Sequence, residues 1–159
     1  MRLSETKGIV YVLKPADYGA AGTGESINTE GFGHITYLIQ CATFTDNSSS
    51  GADLTVKSGI ADGTQTTAET FNYRIASGEQ AAASADIFGS ETAATTFEMT
   101  NALVDSKMVI LEMDVSTLTA GANWLTLALN SDGTAANCSC VAILSDMRYV
   151  SETPPTAIA

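Results

Sequence analysis

A chain of 159 residues with 45% apolar residues and a mean hydropathy of +0.12 is long enough to bury a core of its own and too apolar for wholesale disorder. Charged residues make up only 16%, so Thr, Ser, Asn, Gln and Gly must supply most of the polar surface, a composition that suits strands and turns better than helices. The balance of 18 acidic against 7 basic residues, net −11, repels phosphate and argues against a nucleic acid or an anionic membrane surface as partner.

No stretch reaches the roughly 18 apolar residues of a membrane span. The apolar run Ile9 to Leu13 is cut off by Lys14-Pro15 and does not suit a secretory signal, so synthesis in the cytoplasm is expected.

Taken in order, the apolar residues recur with a period of two. Ile9 to Leu13 is a β-branched and aromatic run, followed by a Gly-rich loop from Asp17 to Gly24. Glu25 to Asn28 reads as a short edge strand. His34 to Phe44 is the first long strand, with Ile35, Tyr37, Ile39 and Cys41 on one face and Leu38, Ala42 and Phe44 on the other. Asp46 to Gly51 is a turn, after which Leu54, Val56 and Ser58 alternate with polar neighbours. Asp62-Gly63 marks a tight turn, because Gly accepts positive φ. Phe71, Tyr73 and Ile75 alternate in turn. The Ala-rich stretch from Gly78 to Gly89 fits one helical turn or a loose crossing.

Phe97 and Met99 mark a strand between Thr96 and Thr100. Lys107 to Val115 is the second long strand, with Val109, Leu111, Met113 and Val115 on one face. Trp124 to Asn130 places Leu125, Leu127 and Leu129 inward. Ser131-Asp132-Gly133-Thr134 then predicts a hairpin to Cys138 to Leu144, which carries Val141 and Ile143 on one face. The expectation is an all-β, single-domain β-sandwich over residues 1–159, jelly-roll-like, with about eight strands, an N-terminal arm (1–7) and an extended C-terminal tail (146–159).

Few residues suit chemistry, and no catalytic, cofactor or metal site is expected. One histidine, His34, cannot form a His-rich metal site, and nothing resembles a nucleophile elbow around a Ser-His-Asp set. Glu112 and Asp114 share a strand face at i and i+2, which suits glycosidase chemistry only if an opposite strand completes it; the simpler reading is the solvated face of an edge strand. Asp46, Asn47 and Asp53 make an oxygen-rich turn whose spacing matches no EF-hand loop. Gly22-Thr23-Gly24 lacks the Lys-Ser/Thr ending of a phosphate loop. Asn47-Ser48-Ser49 and Asn137-Cys138-Ser139 match the glycosylation pattern, but with no secretory signal expected neither is expected to be used. The three cysteines, Cys41, Cys138 and Cys140, do not make a disulfide framework; Cys138 and Cys140 point to one face, a poor geometry for bridging each other, and free buried thiols are expected.

Several stretches carry a resemblance: Tyr11-Val12-Leu13-Lys14-Pro15-Ala16-Asp17-Tyr18; Glu25-Ser26-Ile27-Asn28 with Gly33-His34-Ile35-Thr36; Leu54-Thr55-Val56-Lys57-Ser58-Gly59 with Phe71-Asn72-Tyr73-Arg74; and Val141-Ala142-Ile143-Leu144 running into Arg148-Tyr149 and the Pro-Pro tail. Through them the chain resembles small virion proteins of tailed bacteriophages that decorate or cement the capsid. The resemblance implies a β-sandwich without catalytic function that binds the major capsid protein on the outer capsid surface. A homo-oligomer is expected, with a trimer in view; the alternative is another virion component, a tail part or a receptor- or sugar-binding β-module. The tail is the expected docking segment, with Arg148, Tyr149, Pro154 and Pro155 as its candidate partner-binding residues.

Overall fold

The computed structural model describes residues 7–45, 51–131, 135–147 and 158. The described residues form twelve strands, the longer ones on alternating apolar and polar positions: β1 (Gly8–Asp17), β2 (Gly22–Thr23), β3 (Ile27–Asn28), β4 (His34–Phe44), β5 (Ala52–Gly59), β6 (Thr67–Ala68), β7 (Phe71–Ile75), β8 (Thr92–Ala94), β9 (Phe97–Met99), β10 (Met108–Asp114), β11 (Trp124–Ser131) and β12 (Ala136–Ser145). One helical turn, α1 (Asn101–Val104), and a 3-10 turn at Val115–Thr117 complete the elements. Sheet I runs β1-β12-β4-β10-β7-β8; sheet II runs β2-β11-β5-β6, with β3 on β11 and β9 on β5. The strand pairs are antiparallel, and the two sheets form a β-sandwich.

The count exceeds the expected eight because β2, β6 and β8 are two or three residues long, too short for alternation to be read, and fall in stretches that look like loops. The hairpin expected at Ser131 to Thr134 does not form. β11 lies in sheet II between β5 and the β2 and β3 segments, whereas β12 lies in sheet I between β1 and β4. The turn signal does not specify a pairing, and both edges of β11 are already taken, by β5 and by β2 and β3. The Asp62-Gly63 turn does join paired strands, β5 and β6, with Gly63 at φ 73°. The Gly78 to Gly89 stretch is neither a helical turn nor a crossing: it is a long loop that returns the chain from β7 to its antiparallel neighbour β8, closed by an Ala76–Phe88 bridge and by Gly89 N–H donating to Ile75 O at 2.9 Å.

The core lies between the sheets. Ile35, Tyr37 and Ile39 of β4 and Val109, Leu111 and Met113 of β10 meet Leu125, Leu127 and Leu129 of β11 and Leu54 and Val56 of β5. Phe44 departs from its expected face and is buried, because the register of β4 on β12 slips between Ala136 and Cys138 and turns the end of the strand. Asp105 accepts the Phe44 N–H at 2.8 Å and the Asn101 amide donates to its carbonyl, which fixes that end. On β12 the inward residues are small, Cys138, Cys140 and Ala142, before Leu144. Ala142 stands opposite Tyr37 and leaves room for its ring.

β1 is an edge strand whose register slips twice, and Pro15 lies in the region of the second slip, where a missing N–H costs no ladder bond. Ile158 forms an isolated bridge with Ile27 of β3, while the rest of the expected tail beyond Met147 lies outside the described residues.

Tyr37 is fully buried, and its hydroxyl has no hydrogen-bond partner among the described residues. Burial, with a smaller contribution from Cys140, pushes the phenol far above its ordinary pKa. An unpaired buried hydroxyl is a cost, so Tyr37→Phe is expected to stabilise the fold by about 1 kcal/mol, a rise in Tm of roughly 2–4 °C. Thermal unfolding of the two proteins checks this; an unchanged or lower Tm would show that the hydroxyl is satisfied.

Candidate interaction face

The strands that bury one face of sheet I leave the other to solvent, and the register lines up what that face carries. Tyr11 of β1 stands beside Val141 of β12, Val141 beside Leu38 of β4, Leu38 beside Ile110 of β10, and Ile110 beside Arg74 of β7. One step along the strands, Ile9 stands beside Ile143 and Ile143 beside Thr36. Tyr11 and Ile9 are 54% and 49% exposed, and Leu38, Val141, Ile143 and Ile110 are partly exposed. Six apolar side chains from four adjacent strands thus form one contiguous patch, where a solvated sheet face ordinarily alternates to polar residues. Val141 and Ile143, the larger β-branched residues of β12, face outward while the smaller thiols face in.

Charge borders the patch. At the β4–β10 end, His34 pairs in register with Asp114, and its Nδ1 lies 2.9 Å from Asp114 Oδ1. Its Nε2 lies 3.7 Å from Glu112 Oε1. Ser145 stands across from His34 on β12, but both ring nitrogens are directed at carboxylates, so the Ser, His and Asp do not form a nucleophilic relay. Glu112 and Asp114 therefore sit on a solvated face as expected. Their strand is not at the edge, however: β10 runs between β4 and β7. At the far end of the row, Arg74 donates to Glu91 at 2.7 Å and to the Gly89 carbonyl at 3.4 Å.

Below this face, at the bulged end of β4, two adjoining open depressions share Gln40, Cys41 and Gln80; one also reaches Asn137, Cys138 and Ser139. Two glutamine amides and Cys41 line the shared region. Among the described residues, His, Cys, Asp and Glu side chains do not gather in threes that could hold a metal ion.

Of the residues singled out in the sequence, Arg148, Tyr149, Pro154 and Pro155 lie outside the described residues, as do Asp46 and Asn47. Asp53 is on β5, opposite Glu98 of β9 and Asn130 of β11. Asn137 lies in β12, where its amide donates to the Thr43 carbonyl at 3.2 Å. Tyr11, Leu38, Ile110 and Val141 did not stand out as a group in the sequence. The available signal was that strands 34–44 and 107–115 carry apolar residues on both faces while belonging to a sheet with one core side.

No family model matches the chain, and no curated protein matches it. Among solved structures, its fold is similar to that of the SPBc2 prophage-derived protein YomS, with a TM-score of 0.53 and 13% identity over 87% of this chain and 91% of that one. At that identity the likeness is one of fold, so the chain shares its β-sandwich with a prophage-derived protein.

Proposed function

We propose that the chain is a structural, non-catalytic protein of a tailed bacteriophage particle, and that it serves as a decoration or cement subunit bound to the major capsid protein on the outer surface of the head. The apolar row Tyr11–Val141–Leu38–Ile110 is the observation that carries this reading. A contiguous apolar patch on a sheet face that packs against no other described part of the chain suits burial against a partner. Glu112 and Asp114 beside it favour a partner with Lys or Arg at the rim, which adds orientation more than affinity. The net charge of −11 suits a place on the outside of the shell, away from the packaged genome. The phage resemblance of the sequence and the shared fold with a prophage-derived protein support the same setting.

Adding the purified protein to heads that lack it, and imaging them by cryo-electron microscopy, tests the proposal. Density on the outer capsid lattice, with sheet I against the shell, is expected. Density confined to the tail would move the protein to another part of the virion, and absence from purified particles would remove it from the virion altogether.

A further inference from the structure

Cys41 of β4 and Cys138 of β12 are cross-strand partners, both buried and both on the inner face of sheet I. Cys41 N–H donates to the Lys107 carbonyl at 2.9 Å, on the β10 side. The backbone groups of Cys41 therefore face away from β12, and the pair occupies a non-hydrogen-bonded site of the β4–β12 ladder. At such sites the Cα atoms stand about 4.5 Å apart and the side chains come closest. A disulfide accepts Cα separations of about 4.4–6.8 Å, so the pair qualifies at the short end, where strain favours reduction. Cys140 is placed differently: it faces Ile39 across the ladder, and its spacing of two residues from Cys138 puts the two Cα atoms about 6.8 Å apart with their side chains parallel.

We propose that Cys41 and Cys138 form a reversible disulfide under oxidation by a small peroxide, stapling β4 to β12 beneath the interaction face. The depression lined by Cys41, Cys138, Gln40 and Gln80 lies beside the pair, and local opening of the bulged end of β4 brings peroxide to the buried thiols. The thiolate of one cysteine attacks hydrogen peroxide, forming a sulfenic acid and releasing hydroxide, which takes up a proton. The second thiol then displaces water from that sulfenic acid and loses its proton. Two thiols and one peroxide give one disulfide and two waters. Burial pushes the Cys41 and Cys138 thiols up to about 12, with Cys138 adding to the shift of Cys41 and Asp17 to that of Cys138, so the reaction quickens toward alkaline pH.

Hydrogen peroxide treatment of the full chain at mildly alkaline pH tests this. Thiols titrated after unfolding are expected to fall from three to one, the mass to drop by about 2 Da, and non-reducing peptide mapping to join Cys41 to Cys138, with dithiothreitol reversing all three changes. Cys140→Ser retains the link, and Cys41→Ser or Cys138→Ser abolishes it. A link through Cys140, disulfide-bonded dimers, or three intact thiols under conditions that already convert methionine to sulfoxide would overturn the proposal.

Discussion

Leu38→Glu is expected to weaken attachment to the partner subunit about 100-fold, or about 2.8 kcal/mol, while leaving the fold intact. Leu38 is at the centre of the apolar row, with Val141 on one side and Ile110 on the other, and its side chain already points away from the core. A glutamate there keeps its carboxylate in water in the free protein, so the change in folding stability stays within about 1 kcal/mol. In the complex the same carboxylate is buried against an apolar partner surface with no cation to meet it, which is the expensive case. The placement matters because Glu112 and Asp114 already make this border acidic, and a third carboxylate adds repulsion as well as desolvation. Thr67→Glu on the exposed strand β6 of sheet II is the matched control, adding the same charge far from the row. Co-sedimentation with heads lacking the protein separates the two variants. Equal attachment of Leu38→Glu and wild type would take the face out of the interface.

Much of the fold was legible from alternation, and the reason is visible in particular strands. In β5 and β10 each inward residue is apolar or small and its neighbours are mostly polar or partly exposed, so the period of two names the core face directly. His34–Phe44 is found with the bounds read from the sequence because Gly33 precedes it and the polar run from Asp46 to Gly51 follows it in the sequence. What alternation does not contain is pairing. Tyr11 and Val141 are neighbours in the sheet although they lie at opposite ends of the chain, and no local pattern sets that register. The patch therefore appears only when four strands are laid side by side. The hairpin expected at Ser131 to Thr134 fails for the same reason: the local pattern names no partner strand, and the choice between sheets depends on which edges remain free. Cys41 and Cys138 behave alike, since neither spacing nor count relates them and only the β4–β12 register does.

The connections between the sheets are held by a different kind of contact, and Glu69 shows how. It directly follows β6 and is buried. Its N–H donates to the Val56 carbonyl at 2.9 Å, and its carboxylate accepts the hydroxyl of buried Ser58 and the backbone N–H of Thr119 at 3.0 Å. One side chain thereby ties β5 to the loop that leaves β10. Burial alone would raise its pKa, but the hydrogen bonds from Ser58 and Thr119 outweigh it and hold the carboxyl below its ordinary value. Glu69→Ala is expected to cost about 2–3 kcal/mol at neutral pH, because it removes a charge-assisted acceptor and strands the Ser58 hydroxyl and the Thr119 N–H. The sign of the pH dependence follows from the lowered pKa. The extra stability of the charged form is complete above the unfolded value of about 4.3 and is lost as pH falls through the folded value below it. Denaturant unfolding of wild type and Glu69→Ala should therefore show a constant gap from pH 7 to about 5 that narrows under more acid conditions. Glu69→Gln keeps an acceptor oxygen without the charge, so its smaller deficit narrows over the same acid range as the wild type protonates. The double variant Glu69→Ala/Ser58→Ala should recover part of the loss, since the stranded hydroxyl is gone. A gap that persists unchanged into acid would mean that packing, not the hydrogen-bonded carboxylate, holds this junction together.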